Sequence, residues 1–206
     1  VESPDWVRWA LERPMECSPG ACWEYSTGNT HLLSAILTEA TGVDTRSFAA
    51  RHLLDPLGIP ARPWDRSPRG YYLGGNNMGF RPEELLRFGE TYLAEGRWEG
   101  RQVVPAAWIE RSWTPRATSS YNGNDYGYGW WSRRVAGHRV WYAWGYGGQY
   151  LFAVPDLELA VVATTDLDRE RRRWDADRAI FRLLREEIIP EVRRAWDGGP
   201  SRTARR

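Results

Sequence analysis

Between Trp113 and Tyr126 the hydrophobic period of the chain changes from helical to alternating, and no other feature narrows the possible folds as far. From Tyr126 on, four extended segments follow, Tyr126–Arg133, Arg139–Trp144, Gln149–Val154 and Leu157–Thr164. They are separated only by Ala136-Gly137, by Gly145 to Gly148 and by Pro155-Asp156. Connections this short join antiparallel neighbours, because a parallel crossover needs a dozen or more residues, so the sequence predicts an antiparallel meander.

The flanks are helical. Trp6–Leu11 has a helical pattern, and Asn29–Thr41 puts Leu32, Leu33, Ile36, Leu37 and Ala40 on one face with Gly42 as its stop. Arg46–Leu54 reads as a short helix ended by Asp55-Pro56-Leu57-Gly58-Ile59-Pro60, followed by a loop over 61–79. Pro82, Glu83 and Glu84 suit the first turn of a helix that runs to Glu95, with Gly96 as its cap. Pro105 opens another, to Trp113. After the strands, Arg169–Trp196 carries Trp174, Phe181, Leu184, Ile188 and Val192 on one face and arginines on the other, the pattern of a helix laid across the sheet. This order of elements predicts an α+β fold, an antiparallel sheet flanked by helices, as one domain over 1–196 with a disordered tail over 197–206.

Charge excludes several functions. The 28 basic residues, all arginine, nearly balance 27 acidic ones, and a net charge of +1 offers no field to gather nucleic acid or anionic lipid. The run Arg169-Glu170-Arg171-Arg172-Arg173 reads as a solvated flank for the same reason. No apolar run is long enough to span a membrane. His31, His52 and His138 stand apart without carboxylate or cysteine at ligand spacing, so neither a metal site nor an organic cofactor is expected. His31 reads as packing near a helix start. Cys17 and Cys22, around a Ser-Pro-Gly turn, suit either a small disulfide loop or two free thiols.

Several blocks occur in an order that resembles one family. Trp23-Glu24-Tyr25-Ser26-Thr27-Gly28-Asn29-Thr30-His31-Leu32-Leu33 is similar to the second active-site element of the serine β-lactamase and penicillin-binding-protein superfamily, above all the class C enzymes and related esterases. The resemblance continues through Arg81-Pro82-Glu83-Glu84-Leu85-Leu86, Gly96-Arg97-Trp98, Val103-Val104-Pro105, Tyr126-Gly127-Tyr128-Gly129-Trp130-Trp131 and Gly145-Tyr146-Gly147-Gly148-Gln149. It implies a β-lactamase/transpeptidase-like fold and a hydrolase that acylates a serine with an ester, an amide or a β-lactam. Tyr25 would be the proton-transfer tyrosine. It also leans toward a periplasmic or secreted location over a cytoplasmic one.

The sequence departs from the family pattern in three ways. No Ser-x-x-Lys box exists, since the chain has no lysine at all; the serine and its lysine base would lie upstream of Val1, in a missing N-terminal part of the same domain. Val1 leads straight into a helical pattern, which reads as an N-terminally truncated domain, inactive alone. The asparagine of the Tyr-x-Asn box falls on Thr27, with Asn29 two residues on as a substitute; a hydroxyl offers one donor where an amide offers two. The basic residue of the third motif has no counterpart, and the equivalent strand edge lies within Trp144, Gly145, Tyr146, Gly147, Gly148 and Gln149. Glycines there let a backbone N–H approach a substrate carbonyl oxygen. Asn76 and Asn77 are expected to border the cleft. The competing reading is a non-catalytic module of the same fold that holds a peptidoglycan-like, carbohydrate or peptide ligand.

Overall fold

The structure, a computed structural model, describes residues 3–165 and 173–197. A six-stranded antiparallel sheet forms in strictly sequential order: β3 (Ala117–Thr118), β4 (Asp125–Tyr126), β5 (Trp131–Val135), β6 (His138–Gly145), β7 (Gln149–Val154) and β8 (Leu159–Ala163). β1 (Arg97–Trp98) and β2 (Arg101–Gln102) form a separate small hairpin. Helices α1 (Trp6–Leu11), α2 (Thr27–Thr41), α3 (Thr45–Ala49), α4 (Pro82–Leu93) and α5 (Ala106–Ser112) precede the main sheet; α6 (Arg173–Leu183) and α7 (Ile189–Asp197) follow it.

Alternation along β6 and β7 divides the core between two layers. Val140, Tyr142, Tyr150, Phe152 and Val154 point to one face, where Leu184 and Ile189 of the C-terminal helical segment cover them. Trp141, Leu151 and Ala153 point to the other, against Tyr92 of α4 and Ile109 of α5. Both faces of these strands are therefore apolar and covered by helices. A smaller cluster of Leu54, Leu57 and Ile59 packs beside Phe88 and Trp98.

Several boundaries differ from those expected, each for a local reason. The single strand read over Tyr126–Arg133 is two strands, because Gly127 donates to the Trp130 carbonyl at 2.8 Å and closes a turn between them. The last strand begins at Leu159, not Leu157, since Pro155–Leu157 forms a 3-10 turn that Glu158 leaves with φ 48°. α2 starts at Thr27, two residues early, because Ser26 caps it by accepting from the Asn29 N–H at 3.2 Å. The helices expected over Arg46–Leu54 and Arg169–Trp196 each contain a π turn, Ala50–Leu54 and Leu184–Ile188, two residues before Pro56 and Pro190. A proline cannot donate to the carbonyl four residues back, and the wider turn absorbs that mismatch without ending the helical path. The expected helix start at Arg169, the arginine run apart from Arg173, and residues 198–206 of the tail lie outside the described residues.

Candidate active site

Tyr25 lies in the extended stretch that enters α2. Its ring is 5.6 Å from that of Trp131 on β5 and 6.0 Å from that of Tyr126 on β4, and Trp23 packs on the same pair at 5.7 and 4.9 Å. Tyr25 is 46% exposed and faces a cavity of about 1040 Å³ whose walls include Trp131, Tyr142, Trp144 and Tyr150. Desolvation, with Tyr25 nearby as a smaller influence, pushes the Tyr126 phenol up to about 12. Burial likewise pushes Tyr142 up to about 12, while Asn124 donates to its hydroxyl at 2.9 Å. Tyr142 and Tyr150 also line the cavity but are buried, whereas Tyr25, like Tyr121, is exposed on it.

Trp144 connects this wall to the glycine-rich edge. It lines the cavity, and the next residue, Gly145, pairs with Gln149 to close the β6–β7 hairpin around Tyr146, Gly147 and Gly148. Gly147 and Gly148 have φ of 79° and 80°, a conformation that a side chain would strain. The Gly147 carbonyl accepts from the Thr165 hydroxyl and, at 3.3 Å, from the Gln149 amide, which also donates to the Thr165 carbonyl at 3.1 Å. Neither the Gly147 nor the Gly148 N–H donates to a backbone carbonyl among the described residues. With its carbonyl turned toward Thr165, the trans peptide that joins the two glycines directs the Gly148 N–H the opposite way.

Of the expected residues only Tyr25 and Trp144 line the cavity; Gly145 to Gln149 do not, and neither do the remaining ones. Thr27 and Asn29 form the exposed first turn of α2, outside the cavity wall. Asn76 and Asn77 are exposed on a loop that packs against that turn, so closely that a Cβ on Gly74 would stand 1.9 Å from the Thr30 carbonyl oxygen. Asn77 donates to Asp65 at 2.8 Å, which fixes the loop to itself and not to the cleft. His31 is buried edge-to-face with Trp6 at 5.8 Å, as expected of a packing residue, and burial lowers its pKa. Cys17 and Cys22 form a disulfide just before Trp23. No group of residues able to hold a metal ion occurs among those described.

Sequence reasoning did not single out Trp23, Trp131, Tyr142, Tyr150 or Thr165. The aromatic richness was visible, but only the β5–β6–β7 pairing brings those rings to one wall, through Trp131 opposite Tyr142 and Trp144 opposite Tyr150. Thr165 carries no local signal; it reaches Gly147 because the β7–β8 pairing returns the chain beside the hairpin.

Solved structures share this architecture. A Bacillus anthracis protein described provisionally as a 6-aminohexanoate-dimer hydrolase superposes with a TM-score of 0.68 at 18% identity, over 87% of this chain and 48% of that one. A penicillin-binding-protein homologue from Caulobacter crescentus gives 0.62 at 16%, over 87% and 66%. The penicillin-binding protein of Bacillus halodurans gives 0.61 at 16%, over 86% and 62%. The chain thus spans roughly half to two thirds of the length of these structures. No curated protein matches it. Residues 2–185 match the Beta-lactamase family model, and with a sheet and flanking helices shared with penicillin-binding-protein-like hydrolases, the chain belongs to the Beta-lactamase family.

Proposed function

We propose that this chain supplies the proton-transfer and carbonyl-binding part of a serine hydrolase whose nucleophilic serine and lysine base lie outside it. The observation that supports this most is Tyr25, an exposed phenol on an aromatic wall whose Trp144 directly precedes the hairpin that carries Gly147 and Gly148. In the proposed reaction the serine oxygen bonds to the carbonyl carbon, and its proton passes through the Tyr25 oxygen to the leaving alcohol or amine as the carbon–leaving-group bond breaks. The Gly148 N–H faces the carbonyl oxygen, where negative charge develops. Water then hydrolyses the acyl-serine by the reverse proton path.

The substrate class is an ester, an amide or a β-lactam; the Bacillus anthracis structure, described as a 6-aminohexanoate-dimer hydrolase, favours an amide. In a polypeptide that joins this chain to a Ser-x-x-Lys segment, Tyr25→Phe should lower turnover of a p-nitrophenyl ester by about 10²-fold or more. An unchanged rate removes Tyr25 from the mechanism. The chain's lack of lysine also favours a second reading, a ligand-binding module without turnover. Failure of every joined Ser-x-x-Lys polypeptide to hydrolyse ester, amide or β-lactam would favour that module.

A further inference from the structure

The cavity beside Tyr25 is lined also by residues that the proposed reaction does not use, among them Arg133, Arg178 and Phe181. At about 1040 Å³ it slightly exceeds the roughly 300–1,000 Å³ typical of small-molecule sites, and its wall is aromatic, formed by Trp131, Tyr142, Trp144, Tyr150 and Phe181, with the Phe181 ring edge-on to those of Tyr142 and Tyr150. A body that covers this wall is best apolar, since a polar one would lose hydration without compensation, and an aromatic one can meet these ring faces and edges.

The charges at its border are not balanced. Arg133 holds its guanidinium 5.0 Å from the centre of the Phe181 ring, and Arg178 and Arg182, one turn apart on α6, line the same cavity. None of the three forms an ion pair among the described residues, whereas Arg185, also at the border, is engaged by Glu186 at 2.6 Å. The lining carboxylates are Glu24 and Asp177. Among the described residues, three arginines without an ion pair therefore border the cavity with two acids. A cation would be repelled and a neutral ligand would leave the guanidiniums to water, while an anion gains from each of them next to a low-dielectric wall.

We propose that the cavity is a subsite for an anionic group carried on an aromatic body, of the aryl-carboxylate class, with the ring on the Trp131–Tyr142–Tyr150 wall and the carboxylate among Arg133, Arg178 and Arg182. This rests on the reading of the cavity as a substrate cleft and names what enters it.

Binding can be read on the chain itself without turnover. Titration calorimetry with 2-naphthoate, against its neutral counterpart 2-naphthylmethanol, should show naphthoate binding at least about 5-fold tighter, with the preference shrinking as salt rises from about 20 to 500 mM. Arg178→Gln with Arg182→Gln, both exposed and remote from the packed core, should remove most of that preference and leave naphthylmethanol unchanged. Equal affinities for the two probes, a preference untouched by the double variant, or no binding of either below about 10 mM would each overturn the proposal. Naphthoate binding alongside absent ester turnover in every joined polypeptide would instead retain the anion subsite and remove the hydrolase reading.

Discussion

Glu84 holds the loop that backs the α2 entrance, and its removal tests how that side of the site is positioned. Its carboxylate accepts from the Arg62 guanidinium at 2.7 and 2.6 Å and from the Arg81 N–H, at the start of α4, at 2.7 Å. The side chain of Glu84 is 5% exposed and that of Arg62 25%, so the pair is largely withdrawn from water. Glu84→Gln turns an acceptor into an N–H₂ that faces an N–H donor and leaves the guanidinium without its counter-charge. Breaking one partner of a buried pair costs about 3–5 kcal/mol, and the partial exposure of Arg62 brings the expected loss to about 2–4 kcal/mol. For a domain of this size that is a fall in Tm on the order of 5–12 °C at pH 7.

The same pair sets a pH dependence. The Arg62 side chain, hydrogen-bonded to the Glu84 carboxylate, pulls its pKa from 4.5 down to about 2, outweighing desolvation. A carboxylate depressed in the folded state contributes stability in full above the unfolded pKa, and that contribution is lost as pH falls from about 4.5 toward 2. Thermal unfolding followed by circular dichroism at pH 7, 4 and 3 should show wild type losing its advantage over Glu84→Gln in that window. Equal Tm at pH 7, or parallel acid profiles, would refute the reasoning.

Thr165→Val should loosen the hairpin turn, with backbone order parameters of Gly147 and Gly148 falling from about 0.85 to below about 0.6, while Thr165→Ser keeps them high; unchanged values for Val would remove Thr165 as the anchor. Gly148→Val should destabilise the hairpin, because it adds a left-handed backbone penalty to a Cβ placed 2.7 Å from the Thr165 hydroxyl oxygen, and a Tm equal to wild type would count against the turn geometry. Reduction of Cys17–Cys22 should cost about 2 kcal/mol in urea unfolding, the entropy of so small a loop, and no shift in midpoint would contradict that.

The helices and the meander were legible because their signals are local: Glu83 and Glu84 behind Pro82, Gly42 after Thr41, and breaks of two to four residues between extended runs. Tyr25 stood out through the block around it. What the sequence left undetermined is set by pairing between distant segments. Nothing near Trp131 indicates that it will oppose Tyr142, and nothing near Thr165 indicates that β8 will bring it to Gly147. Conversely, Asn76 and Asn77 carry a cleft-like composition, but contact with α2 holds them on a loop outside the cavity, a steric fact decided by Gly74 and Thr30.

The central claim is that the nucleophile lies outside residues 1–206. Intact mass spectrometry of the purified chain after incubation with a fluorophosphonate tests it most directly. An uncatalysed serine hydroxyl is a poor nucleophile, and no serine here has a lysine partner, so the account predicts a single unmodified species of 23.8 kDa. A stoichiometric adduct on any serine of the chain would contradict it.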